Sequence, residues 1–409
     1  MYFIARNNVK LSMATIARTF FDRGLKKEIR GNYIQEFQRR FTEYTGAKYA
    51  VGVSSARIGL YVVLKLLRLH DGDEVIMSAY NFSPVPLLVK LLKCNPVFVD
   101  IKKGTPNIDV EKIESAIGPK TKIILISHMC GYLVDMEKIM KLAEKHKLSV
   151  IEDCAHALGA TYKGKMAGSF GDFGIYSFGY GKMMPCFGGG MVTLRDERYY
   201  AQLLQLIHSA CGFSLKKCMT TLFFYFFSHK YIFPWTVYPF MRLNPGFGDR
   251  AIQEKDSYSL EPYLKNKYGI SAFQAKAGIL QLKNIAVTLQ SVRRNSEVLN
   301  ARFESLSDVN ITIEEKEGRA AYLYYRLMVK NREYYRKILL REGIDMKIDS
   351  MCTPSDLHLF LRQDGGFQNS EDFKNNNIEI PNGPSLSLKH MEYIVSRISR
   401  ISVMNNKKI

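Results

Sequence analysis

Short apolar runs alternate with amphipathic helical stretches through the first half of the chain. The runs Tyr49–Val53, Val75–Ser78, Val97–Asp100, Lys122–Ser127 and Leu148–Ile151 are rich in valine and isoleucine and read as buried strands. Between them, helical spacing starts at Ile58 and recurs from about Met136 to His146, and Asp71 to Glu74 supply a turn. Two further strands are expected at Gly174–Phe178 and Met191–Leu194. This strand–helix order predicts a parallel-type α/β sheet, whose ligands gather at the carboxyl edge.

Outside that block the periodicity is helical again. Thr15–Tyr44 carries apolar positions at Phe20, Leu25, Ile34, Phe37 and Phe41, and Arg195–Ser209 predicts another helix. Ala272–Leu306 reads as one long amphipathic helix. The last hundred residues mix short strands and helices, among them Ala320–Val329 and Glu333–Arg341, and end in a helix from Leu388 to about Ser399. The chain therefore divides into a large domain, 1–262, and a linking helix with a small α/β domain, 263–409.

Composition narrows the function classes. A hydrophobic content of 46% with 24% charged residues describes a globular chain, but a formal charge of +19 is unusual and favours anionic partners. The basic residues are scattered and no nucleic-acid motif is present, so a nucleic-acid role is not expected. Seven cysteines at irregular spacing, with no CxxC pair, suit reduced thiols in a cytoplasm and give no zinc site. The start of the chain lacks the apolar core of a secretory signal.

The chemistry concentrates between Leu148 and Leu194. One strand leads into Glu152 and Asp153, and a second leads through Gly179 and Gly181 to Lys182, ahead of the cluster Gly188–Gly190. An acid at one strand tip and a lysine past another can meet over a small planar cofactor, an arrangement suited to pyridoxal phosphate (PLP). The lysine forms the Schiff base, and the carboxylate keeps the pyridine nitrogen protonated. Upstream, Ser54-Ser55-Ala56-Arg57 stands between a strand and a helix start, where free N–H groups and the dipole favour an anion. His128, at another strand end, reads as structural.

Together these residues resemble the DegT/StrS-type sugar aminotransferases, a branch of the fold-type I PLP enzymes. That family carries E-D-x-A-[QH]-A, then G-D-x-G-x-x-S-F, then a lysine five residues after the serine. The matching residues are Glu152, Asp153, Ala155, His156, Ala157, Gly171, Asp172, Gly174, Ser177, Phe178 and Lys182. The resemblance implies a mixed, mostly parallel sheet flanked by helices, a small C-terminal α/β domain and a homodimer with sites at the subunit boundary. It also implies transamination through PLP and its pyridoxamine form (PMP), from an amino acid such as glutamate to a nucleotide-linked keto-sugar.

By the same resemblance, Lys182 holds PLP, Asp153 pairs with the ring nitrogen, His156 lies near the ring oxygen and Phe82 stacks on the ring. Ser54, Ser55, Ala56, Arg57 and Ser177 face the phosphate. Ala56-Arg57 stands where the family has Gly-Thr, with the guanidinium as substitute donor. Lys267 and Gly269 replace the Asn and Arg of a turn that reaches the partner's site, where Lys267 would act as a point charge on phosphate. Two other readings stay open. One is a PMP-dependent sugar dehydratase, whose relatives have histidine at the lysine position. The other is an idle, membrane-associated binding protein of a polysaccharide pathway.

The common core of the resembled family lacks so hydrophobic a segment as Phe213–Leu243. Its run Leu222–Phe227 is wholly apolar and aromatic, but Ser228-His229-Lys230, Pro234 and Pro239 interrupt it. A membrane span needs roughly 20 consecutive apolar residues, so this segment does not read as one. Either it covers the site mouth or dimer interface, or it lies on a membrane with Lys216, Lys217, Lys230 and Arg242 near lipid phosphates.

Overall fold

The computed structural model describes residues 2–6, 9–21, 31–207, 212, 214–244, 268–348, 351–357, 360 and 366–406. At its centre stand β1 (Tyr49–Val53), β2 (Glu74–Ser78), β3 (Asn95–Val99), β4 (Thr121–Ser127), β5 (Ser149–Asp153), β8 (Phe173–Ser177) and β9 (Gly190–Leu194). They form one sheet in the order β1-β9-β8-β5-β4-β2-β3, beside a small sheet of β11 (Gly318–Arg319), β6 (Thr161–Tyr162) and β7 (Lys165–Met166). Of the seven, only β9 runs against the others, pairing antiparallel with both β1 and β8. All seven expected strands are present, β1 as expected and the others shifted by one or two residues at one or both ends.

Side chains alternate across this sheet into two apolar layers. Ile124, Ile126, Val150 and Tyr176 face one layer with Phe37 and Phe41 of α2 (Tyr33–Thr45) and Ile139 and Ala143 of α5 (Met136–His146). Ile123, Leu125, Ile151 and Ile175 face the other with α3 (Ala56–Leu66), α4 (Pro84–Leu91) and α6 (Glu197–Leu206). Strands covered on both faces lose the polar alternation of a half-buried strand, which is why they read as continuous apolar runs. The expected helix over Thr15–Tyr44 is described as α1 (Met13–Phe21) and α2, and Leu25 lies outside the described residues.

The long helix expected over Ala272–Leu306 is instead two, α9 (Ala272–Leu282) and α10 (Ile285–Phe303). Asn284, at φ −112° and ψ 0°, turns the chain between them. A two-residue break leaves the apolar spacing nearly in phase, so periodicity does not reveal it.

The C-terminal unit holds an antiparallel sheet of β10 (Val309–Ile311), β12 (Tyr325–Val329), β14 (Asn377–Ile380) and β13 (Lys347–Ile348), in that order. β12 starts five residues later than the expected strand at Ala320. Ahead of it, the Ala321 and Tyr324 N–H groups donate to the Gly131 and Cys130 carbonyls at 2.9 and 3.3 Å. Those bonds turn the stretch toward the large sheet rather than into the small one. The beginning of the chain joins the C-terminal unit as well, for Ile4 bridges Ile344 and Arg6 Nε donates to Asp345 at 2.7 Å. The boundary expected at 262/263 lies outside the described residues.

Candidate active site

Five parallel strands end at a cavity of about 790 Å³, within the range of small-molecule sites. Each strand end delivers named residues to its wall: Ser55–Arg57 after β1, Asn81 and Phe82 after β2, and His128 after β4. Asp153 and His156 follow from β5, and Ser177 and Lys182 from β8. Residues scattered between positions 55 and 182 thus share one sheet edge because parallel strands all end on the same side.

The tip of β5 is fixed by its own neighbours. Glu152 is fully buried, and its carboxylate accepts from the Gly168, Phe170 and Gly171 N–H groups at 2.7–2.8 Å and from His128 Nε2 at 3.0 Å. Glu152 and His128 therefore anchor the strand, as expected of a structural histidine, and leave Asp153 as the acid at the cavity. One Asp153 oxygen accepts from the Ala155 N–H at 3.0 Å. Burial raises the Asp153 carboxyl above the usual carboxylate range, against the pull of Ala155, Lys182 and His128.

Burial also brings the Lys182 amine down to about 8; Asp153 resists the shift, while Lys347 and Lys10 add to it. His156 lies well below its ordinary value, through burial first and then the nearby cations Lys182, Arg326 and Lys347. It is therefore a neutral imidazole. Its Nδ1 accepts from the Cys130 N–H at 3.3 Å, which leaves the proton on Nε2. Cys130 and Gly131 turn with positive φ, and a Cβ at Gly131 would stand 2.9 Å from the Tyr322 backbone nitrogen.

The profile described as the DegT/DnrJ/EryC1/StrS aminotransferase family matches residues 23–399. The chain belongs to that family. An uncharacterised protein of Methanocaldococcus jannaschii is 29% identical over 378 residues, 90% of this chain and 89% of that one. A GDP-perosamine synthase of Escherichia coli O157:H7 is 39% identical over 175 residues, 43% of this chain and 48% of the other, so under half of each is aligned. Among solved structures, a Streptococcus pneumoniae chain described as a sugar aminotransferase superposes with a TM-score of 0.78 at 21% identity, covering all of both chains. That neighbour has also been solved in PLP and PMP forms.

As a member of that aminotransferase family the protein is PLP-dependent and of fold type I. The site fits that cofactor. A half-buried acid without a full cationic partner among the described residues suits a protonated ring nitrogen, and a lysine amine near 8 suits carbonyl chemistry. Three buried polar atoms of cavity-lining residues, Asn81 Nδ2, His128 Nδ1 and Asn382 Oδ1, have no hydrogen-bond partner among the described residues, as expected of walls built for a polar ligand.

Of the described residues assigned by resemblance, all but Ser54 line the cavity. Ser54 is absent from the cavity lining. Its N–H donates to the Tyr268 carbonyl at 2.7 Å and its carbonyl accepts from Lys217 Nζ at 3.1 Å, so it contributes backbone to the wall behind Ser55. Lys267 lies outside the described residues. The sequence reading missed Lys10, Asn81, Tyr324 and Lys347, which line the cavity from distant elements. Asn81 directly precedes Phe82 and could have been found from that strand end; the other three carry no local signal.

The aromatic segment covers this cavity. It forms α7 (Leu215–Phe227) and α8 (Val237–Leu243), and Ser214, Lys216, Lys217, Thr220 and Thr221 line the site. Phe224 stacks on Tyr180, two residues before Lys182, at 4.3 Å between ring centroids and 6° between planes. The opposite side keeps Leu215, Met219, Phe223 and Phe226 exposed on one helical stripe, with Trp235 84% and Leu243 81% exposed beyond it. No helix among the described residues is long and apolar enough to cross a membrane.

Proposed function

We propose that this chain moves an amino group from an amino-acid donor, glutamate, to the ketone of a nucleotide-linked keto-deoxysugar in glycan assembly. The observation that carries the reading is the pairing of Lys182 and Asp153 in one buried cavity, each shifting the other's protonation. When bound, PLP supplies the electron sink for breaking a bond at the donor's α-carbon. Lys182, neutral above about pH 8, takes the α-proton and returns it on the other side of the exchange. Asp153 holds the ring-nitrogen proton, and the His156 Nε2–H donates toward the ring oxygen. Ser55, the backbone of Ala56 and Arg57, and Ser177 hold the phosphate, with Phe82 against the ring.

The sugar substrate is supported by the likeness to a GDP-perosamine synthase and by the cations Lys10, Lys216 and Lys347 in the cavity wall, which suit a diphosphate. The retained Lys182 weighs against a dehydratase. A homodimer in the cytoplasm, with Lys267 reaching the partner's phosphate site, completes the proposal.

The test is the visible absorption of the purified protein given PLP, before and after glutamate. A yellow band that glutamate bleaches supports cofactor, lysine and donor together. A band untouched by glutamate rejects the donor. No band, with borohydride fixing nothing on Lys182, overturns the enzyme in favour of an idle binding protein.

A second reading concerns where the enzyme works. The exposed stripe of α7 with Trp235, Leu243 and the cations Lys230 and Arg242 favours peripheral contact with an anionic membrane face. Co-sedimentation with anionic but not neutral vesicles supports it, and equal recovery of the parent and a variant lacking 222–240 sinks it.

A further inference from the structure

The inner face of α7 carries Lys217 to the end of the cavity beside the serine turn. We propose that Lys217 is a cofactor-phosphate ligand supplied by the same chain, so that the aromatic helix completes the phosphate site as well as covering it. This deepens the proposed function and rests on its assignment of Ser55–Arg57 to the phosphate.

Three observations converge on Lys217. Its ammonium donates to the Ser54 carbonyl at 3.1 Å, one residue before the Ser55 side chain that caps α3. That position sets a positive charge beside the N-terminal N–H groups of α3, where an anion is already favoured. The carbonyl engages one of three ammonium protons, which leaves two for phosphate oxygens.

The route of the side chain is built into the glycine cluster. Gly188 has φ +100°, and a Cβ there would stand 2.8 Å from Lys217 Cδ and 3.0 Å from Gln274 Nε2. Gly189 pairs with Ser55 in an isolated bridge, so cluster, serine turn and lysine pack as one unit. The helix that carries the lysine is itself held. Ser214 accepts from the Lys217 N–H at 3.3 Å as N-cap, Cys218 and Thr221 are buried, and Phe224 is stacked on Tyr180.

The test compares PLP with pyridoxal, which has the same ring and aldehyde without the phosphate. Both are titrated into apoenzyme and followed by absorbance. Lys217→Gln should weaken PLP about tenfold to a hundredfold, the scale of a lost charge-assisted bond, and leave pyridoxal unchanged. Lys217→Arg should keep most of the preference for PLP. If Ser55→Ala erodes that preference while Lys217→Gln does not, the role of Lys217 is overturned and the serine turn stands. If neither variant alters it, the phosphate assignment falls with it.

Discussion

The sheet edge and the α7 cover meet at one cavity but are held by different means. At the edge, the strands that lead to Asp153 and Lys182 are paired on both sides, β5 with β4 and β8, and β8 with β5 and β9; Asp153 lies opposite Ser127 on β4 and Ile175 on β8. The fully buried Glu152 behind it ties down three backbone N–H groups and a histidine. The cover buries only Cys218 and Thr221 of its thirteen residues, stacks Phe224 on Tyr180 of the lysine loop and donates from Lys217 to the Ser54 carbonyl after β1. Backbone pairing fixes the reacting groups in place, whereas side-chain docking fixes access and affinity. Damage at the edge should therefore abolish chemistry or folding, and damage to the cover should tune binding.

The largest expected effect is at Lys182. Lys182→Ala should lose the visible band with PLP and at least about 10²–10⁴-fold in transamination, the range for a lost proton-transfer group, while keeping its far-ultraviolet circular dichroism. Retained turnover would place the chemistry elsewhere. Asp153→Asn should still bind PLP and lose on the order of 10²-fold in rate, the scale of one electrostatic partner removed from a dry site. Turnover at the parent rate would show that the ring nitrogen has another partner.

Glu152→Ala asks whether the edge is as backbone-fixed as it looks. It strands three buried N–H donors and His128, a cost of several kcal/mol, on the scale of breaking a buried polar network. The expected outcome is a low soluble yield or a large fall in denaturant midpoint. A parent-like midpoint would mean that the 168–171 turn holds the strand without the carboxylate.

That division also explains what the sequence made legible. The sheet could be read because strands buried on both faces show as unbroken apolar runs, and the helix Met136–His146 kept both its ends. Asp153, His156, Ser177 and Lys182 could be read because a single stretch of chain supplies them all. Lys10, Tyr324 and Lys347 could not, since no spacing links them to the sheet edge before the fold closes. The cover was half legible. Its apolar run ruled out an ordinary surface helix, but Leu222–Phe227 has no polar face to show which side turns inward. Of the two adjacent serines, Ser55 accepts from the Ile58 N–H at the helix start, while Ser54 is tied through its backbone to Tyr268 and Lys217.

The pH dependence of cofactor uptake separates the environment of Lys182 from an ordinary lysine. Its amine sits near 8 instead of 10.5, and only the neutral form attacks an aldehyde. Uptake of PLP should quicken about tenfold per unit while Lys182 is mostly protonated, between about pH 6 and 7.5, and level off above about 8. A lysine with solvent-like protonation would keep accelerating well past pH 9. Stopped-flow absorbance at fixed PLP distinguishes the two profiles.

The smallest effect tests the cover itself. Tyr180→Ala removes the stack on Phe224 but touches neither Asp153 nor the Lys182 amine. A stacked pair contributes about 0.5–1.5 kcal/mol beyond its buried area, so α7 should loosen without global unfolding. Hydrogen exchange over Leu215–Phe227 should quicken by about three- to tenfold, with exchange in β5 and β8 unchanged. Because Lys217 rides on the same helix, PLP affinity should drop slightly and pyridoxal affinity should not. Equal acceleration in the strands would show that cover and edge share one cooperative unit, and the contrast between them would collapse.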